Sequence, residues 1–282
     1  MAPYPSSSVQ AARHALAERL RELRLDAGMS GRDMARETGW QPSKVSRVET
    51  GRTAPSDDDI KVWCRACNAD GHAADLIAAN RTAESMYVQW RRLQRSGLRR
   101  LQESRVPLYE RTKTFRVYSS TVVPGLLQTP EYATALLSSV TRFHGTPDDV
   151  NDAVAARVAR SEIVRRGGHT FAVLVEESVL RHVIGGADTM AGQLGHLLSV
   201  MALPSVSLGV IPAGVPREMW TLETFNVFDE DRVHVELLTA AVTVTEPGEV
   251  AQYAAAFAAM AQLAVRGPAA RALLTGAIDA LG

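Results

Sequence analysis

A chain of 282 residues is long enough for two domains, each with its own core. Its 31 basic and 31 acidic residues cancel, and two cysteines, Cys64 and Cys67, exclude a disulfide framework. The longest apolar stretches, such as 253–265, are Ala-rich and too short to span a bilayer.

Charge is uneven along the chain. Residues 1–113 hold 20 Lys and Arg against 14 Asp and Glu; residues 114–282 hold 11 against 17. A basic front suits a polyanionic partner, and an acidic rear suits a different task. Residues 1–11 begin small, polar and Pro/Ser-containing, which predicts a disordered arm and no signal peptide. A cytoplasmic, nucleoid-associated protein without a membrane partner is expected.

The first domain is expected over 12–83. Leu16, Leu20 and Leu23 recur at helical spacing, and Gly28 is a natural stop. Ser30 suits the N-cap of a short helix that turns Met34 and Ala35 inward. Gly39 falls where the chain must turn with positive φ. Pro42 opens the next helix, 42–49, at a position where a missing N–H costs nothing. Val45 and Val48, three apart, share its inner face and leave Ser43, Lys44, Ser46 and Arg47 mostly outside. Short hydroxyls interleaved with a Lys and an Arg suit a surface that meets base edges and phosphates. Gly51 ends this helix, and Asp57, Asp58 and Asp59 put negative charge at the start of a fourth. Its stripe is Ile60, Trp63, Cys64 and Cys67, and a fifth helix begins near His72. The C-x-x-C pair lies on that apolar stripe with no second pair to complete a zinc site, so packing is its expected role and no metal is expected.

Three strings carry a resemblance: Leu20-Arg21-Glu22-Leu23-Arg24, Met34-Ala35-Arg36-Glu37-Thr38-Gly39, and Val45-Ser46-Arg47-Val48-Glu49-Thr50-Gly51-Arg52 followed by Pro55. Over 13–80 the chain resembles the repressor-type, Xre-family helix-turn-helix. The resemblance implies an all-α five-helix DNA-binding domain. It makes Gln41, Ser43, Lys44, Ser46 and Arg47 the candidate DNA contacts in the major groove, with Arg47 suited to a guanine O6/N7 pair. Arg52 would touch phosphate, and Glu49 would serve the fold by holding a backbone group or an Arg.

A helical connector is expected over 84–108, interrupted near Gly97 and lightly studded with Met86, Trp90, Leu93, Leu98 and Leu101. Its Arg91, Arg92, Arg95, Arg99 and Arg100 form a solvated face or reach phosphates. From Tyr109 the composition turns β-branched. Strands are predicted at 114–119, 170–176, 206–211, 223–228, 233–238 and 242–244, and helices at 131–140, 148–165, 187–203, 249–265 and 269–281. The fold expected for 109–282 is an α+β regulatory domain with several short strands.

The run Val123-Pro124-Gly125-Leu126-Leu127-Gln128-Thr129-Pro130-Glu131-Tyr132-Ala133, then Ala156-Arg157-Val158-Ala159-Arg160, Glu177-Ser178-Val179-Leu180-Arg181, Gln193-Leu194 and 206–212, resembles a second module. It is similar to the domain of unknown function that follows this helix-turn-helix in actinomycete regulators, including WhiJ-like developmental regulators. That resemblance implies regulation through the rear domain, with a small acidic partner protein as one input. No phosphate loop, H-E-x-x-H or nucleophile elbow is present. Glu176 and Glu177 are adjacent and diverge, and His169, His182 and His196 are scattered, so no enzyme and no cofactor is expected. Trp220, Phe225, Tyr253 and Phe257, with Phe228, are candidates to line a ligand pocket or simply to fill a core. The reading is a homodimeric transcription regulator on an inverted-repeat operator in double-stranded DNA, whose rear domain dimerises and answers a partner protein or small ligand. The alternative is the interaction module of a toxin–antitoxin-like pair.

Overall fold

The computed structural model describes residues 7–89, 97–220, 223–238 and 240–282. The chain divides into two compact units, 1–88 and 89–282.

Five α-helices build the first unit: α1 (Ser7–Asp26), α2 (Gly31–Thr38), α3 (Pro42–Glu49), α4 (Asp57–Ala66) and α5 (Ala73–Met86). Residues 1–6 of the expected arm lie outside the described residues, and from Ser7 the backbone is helical. An Ala-rich segment downstream supplies the nucleus, and each added residue then costs little, so α1 extends further back than the arm allowed. Ser30 and Ser56 each close a capping box, with Asp33 and Asp59 returning the bond. Gly39 ends α2 with φ 71°. The core gathers Leu20, Met34, Val45, Val48, Ile60 and Trp63. The Trp63 indole donates to the Leu20 carbonyl at 2.8 Å, so its buried N–H is satisfied. Cys64 and Cys67 are buried in the same core. Burial pushes both thiols up, Cys67 to about 11, which keeps them protonated and unreactive.

The expected connector, a helix interrupted near Gly97, is also broken ahead of that position. The chain leaves α5 at Met86 and is extended over Tyr87–Gln89, where Tyr and Val favour strand over helix. Trp90, Arg91, Arg92, Leu93 and Arg95 lie outside the described residues. Gly97 then has φ 89°, and a Cβ there would run into the Asp149 carboxylate, which accepts the Leu98 and Arg99 N–H groups at 2.9 Å each. Helix α6 (Leu98–Ser104) follows at once and packs on Ala133, Leu137 and Val154. The stretch from Gly97 is therefore part of the second unit's body, because Leu98 and Gln102 are buried there.

Helix α7 (Val106–Arg111) leads into β1 (Thr114–Ser119). Then come α8 (Pro130–His144), α9 (Val150–Ser161), β2 (Thr170–Glu176), α10 (Ala187–Val200) and β3 (Val206–Ile211). β4 (Phe225–Phe228), β5 (Arg232–Glu236), β6 (Ala240–Val244), α11 (Pro247–Leu263) and α12 (Gly267–Asp279) complete an α+β unit. Among the described residues of this unit, six strands form a mixed sheet in the order β6-β5-β4-β1-β2-β3. The β1–β2 and β2–β3 pairs are parallel and the rest antiparallel.

Register sorts the two faces of the sheet. Phe115 pairs with Phe171 and Phe228, so these rings share the first face, with Phe115 stacked on Phe171 at 4.6 Å. The second face carries Tyr118, Phe225 and Val235. The run over 123–133 is pinned by buried amides: Gln193 accepts from the Thr129 N–H and donates to the Leu127 carbonyl, each at 2.7 Å. A cavity of about 530 Å³ opens on the first face, walled by residues of α6, α8, α9, β1 and β4.

Candidate nucleic-acid interface

The interface is built on α3. Gln41 precedes it as an extended N-cap and Pro42 takes the first turn. Val45 and Val48 are 2% and 1% exposed, so the opposite side of the helix must face water. Gln41, Ser43, Ser46 and Arg47 are all exposed there, and Arg52 is exposed just past Gly51. Gly51 has φ 67°, which turns the chain off the helix without a Cβ penalty. Neither the Arg47 nor the Arg52 guanidinium has a hydrogen bond or ion pair among the described residues. Two unneutralised cations beside three polar side chains form a surface that can meet phosphates and base edges together.

Lys44 differs from its neighbours. Its Nζ lies 2.6 Å from Asp59 Oδ1 and 3.9 Å from the centre of the Trp40 ring. Trp40 in turn leans on Trp63, with ring centres 5.9 Å apart. Burial works to raise the Asp59 carboxyl, but the Lys44 hydrogen bond and the Ser56 N–H outweigh it and hold the group below 3.8. Lys44 thus ties the start of α3 to the start of α4, a role that sequence spacing alone did not give it. The aromatic at position 40, four residues before the lysine, was the available signal.

Glu49 serves the fold. Its carboxylate takes both Arg24 Nε and Nη2, at 2.5 and 3.1 Å, and Arg24 Nη1 donates to the Met29 carbonyl. A bidentate pair of this kind fixes the far end of α3 against α1. Helix α3 is held at one end by Lys44–Asp59 and at the other by Arg24–Glu49.

The aromatic set expected to line a ligand pocket or fill a core is split between burial and exposure. Phe225 and Phe257 are 0% and 6% exposed, and Phe225 packs edge-on to Tyr253 at 5.0 Å. Tyr253 donates to Glu223 at 3.0 Å, whereas Trp220 stands 64% exposed. Phe225, Tyr253 and Phe257 fill the second face of the sheet under α11, and none of the four residues borders the cavity on the first face. Glu176 pairs with Arg217 at 2.6 Å, and Glu177 with Arg181 at 3.0 Å and the Ala213 N–H at 3.0 Å. The two carboxylates therefore point to different partners.

Against known proteins, residues 15–77 match the helix-turn-helix domain. Residues 104–276, more than half of the chain, match the domain of unknown function DUF5753. No curated protein matches. Among solved structures, that of TrmBL2, an archaeal chromatin protein with a novel mode of DNA binding, covers 80% of this chain and 71% of its own. Identity is 12% and the TM-score 0.33, too weak a likeness to carry an argument. The chain belongs to the DUF5753 family and carries a helix-turn-helix domain ahead of it.

Proposed function

We propose that the protein is a sequence-specific DNA-binding transcriptional regulator of the Xre type, akin to WhiJ-like developmental regulators, acting as a homodimer at the nucleoid. The observation that carries this is the outward row Gln41, Ser43, Ser46 and Arg47 on a helix whose other side is buried, within the helix-turn-helix match. In this reading α3 lies in the major groove, Gln41 and Ser43 enter first, and Arg47 forks onto a guanine. Arg52 binds phosphate. Lys44 steadies α3 and reaches DNA only by leaving Asp59.

A two-fold dimer would set two copies of α3 about 34 Å apart, one turn of DNA, so the operator is an inverted repeat. The second unit supplies the control. The cavity on its sheet favours a small ligand as the input over a small acidic partner protein. Selection from random duplexes followed by footprinting tests the reading. An enriched inverted repeat protected on both halves is expected. A single asymmetric half-site would remove the dimer, and no enriched sequence would remove specific reading altogether.

A further inference from the structure

The 530 Å³ cavity of the second unit has the size of a small-molecule site. Its lining divides into two poles. One is aliphatic, with Leu98, Leu126, Leu137 and Val140 inside and Leu238, 74% exposed, at the edge. The other holds the guanidiniums of Arg105, Arg157 and Arg160 against one carboxylate, Glu236.

The arginines are held rather than neutralised. Arg160 is only 7% exposed; its Nη1 donates to the Gln102 carbonyl and Oε1 at 3.0 and 2.9 Å, and its guanidinium lies 4.8 Å over the Tyr109 ring. Its Nε is buried with no hydrogen-bond partner among the described residues. Arg157 donates to Gln128 at 2.6 Å and Gln102 at 3.3 Å, both neutral amides. Arg105 alone meets a carboxylate, Glu236 at 2.9 Å. Burial, then Arg160 and Arg105, lower Arg157 to about 10. Three cations against one anion, with a buried donor unfilled, is the balance of a site completed by a negative group from outside. A purely structural cluster would bring its own carboxylates to Arg157 and Arg160; here, among the described residues, their hydrogen bonds go to amides and a carbonyl, and Glu236 acts at longer range.

We propose that this cavity binds a small amphipathic anion, with its oxyanion head on Arg105, Arg157 and Arg160 and its apolar body against the leucines. Glu236 competes with that head for Arg105. The binding claim concerns the second unit alone; that the ligand controls DNA binding rests on the regulatory reading above.

The test uses the full chain without DNA, titrated with the fluorescent sulfonate 8-anilinonaphthalene-1-sulfonate and, in parallel, its uncharged analogue N-phenyl-1-naphthylamine. One saturable sulfonate site per chain is expected, displaced by decanoate. Arg157→Gln should weaken the sulfonate about tenfold and Glu236→Gln should tighten it several-fold, while the neutral analogue moves less than twofold. The opposite signs separate anion recognition from damage to the fold. If Arg157→Gln does not fold, Glu236→Gln decides alone. No saturable site, no displacement by decanoate, or no tightening in Glu236→Gln would overturn the proposal. Failure of operator binding would leave it standing, and its own failure would leave the DNA reading intact.

Discussion

Two sets of arginines, one in each unit, are used in opposite ways. On α3 and just beyond it, Arg47 and Arg52 stand in water with no partner among the described residues. In the second unit Arg105, Arg157 and Arg160 turn inward around a cavity and are held by amides, a ring and one carboxylate. An exposed guanidinium keeps its hydration, so the fold spends nothing on it and a polyanion can claim it later. A buried one has lost that hydration and persists only where the surrounding structure replaces it. Surface arginines are therefore replaceable without harm to the fold, and inward ones are not.

The largest expected effect breaks the inward set. Arg160→Met removes two buried hydrogen bonds, to the Gln102 carbonyl and Oε1, and the second unit should lose about 3 kcal/mol in calorimetric unfolding. Arg47→Ala should change stability by less than about 0.5 kcal/mol. Equal losses would erase the distinction. Next comes Lys44→Ala, which removes the Asp59 pair and the Trp40 contact and should cost the first unit about 1 kcal/mol.

The Lys44–Asp59 pair also carries a pH signature. Asp59 is held below 3.8 in the fold, so its contribution is complete above that value and is lost as pH falls through the lower folded value. Acid unfolding of the first unit should therefore become less steep in Asp59→Asn; an unchanged profile would demote the pair. The smallest effect is expected of Arg52→Ala, which should lower the salt dependence of DNA affinity by about one unit of log–log slope while leaving sequence preference alone. Loss of preference would move Arg52 from phosphate to base.

The same contrast explains what could be read from the chain. Caps, turns and stripes in the first unit are local, so Ser30, Gly39, Pro42 and the Ile60–Trp63–Cys64–Cys67 stripe identify themselves within a few residues. The strands at 114–119, 170–176 and 206–211 are equally legible, because each is rich in β-branched, aromatic and other apolar residues. The late strands are shorter, and their predicted bounds shift by one or two residues.

The arginine cavity was not legible. Its members come from α9, the turn before α7 and the end of β5, brought together only by tertiary pairing. A trace was present: Arg157 and Arg160 lie three apart on a helix that also carries the buried Ala153 and Val154. Charge on the apolar side of a helix is the signal. The aromatics are ambiguous for the converse reason, since ring-rich segments fill cores as readily as they line pockets, and pairing Phe225 with Val235 sets it on the face under α11.

The claim that α3 reads DNA sequence is tested most directly by one competition measurement at fixed salt. Wild-type chain and Arg47→Ala are bound to the selected operator and to a scrambled duplex of equal length. Arg47→Ala should lose about 1–3 kcal/mol of discrimination between the two while keeping its affinity for the scrambled duplex. Equal weakening on both duplexes, or no change on either, would contradict it.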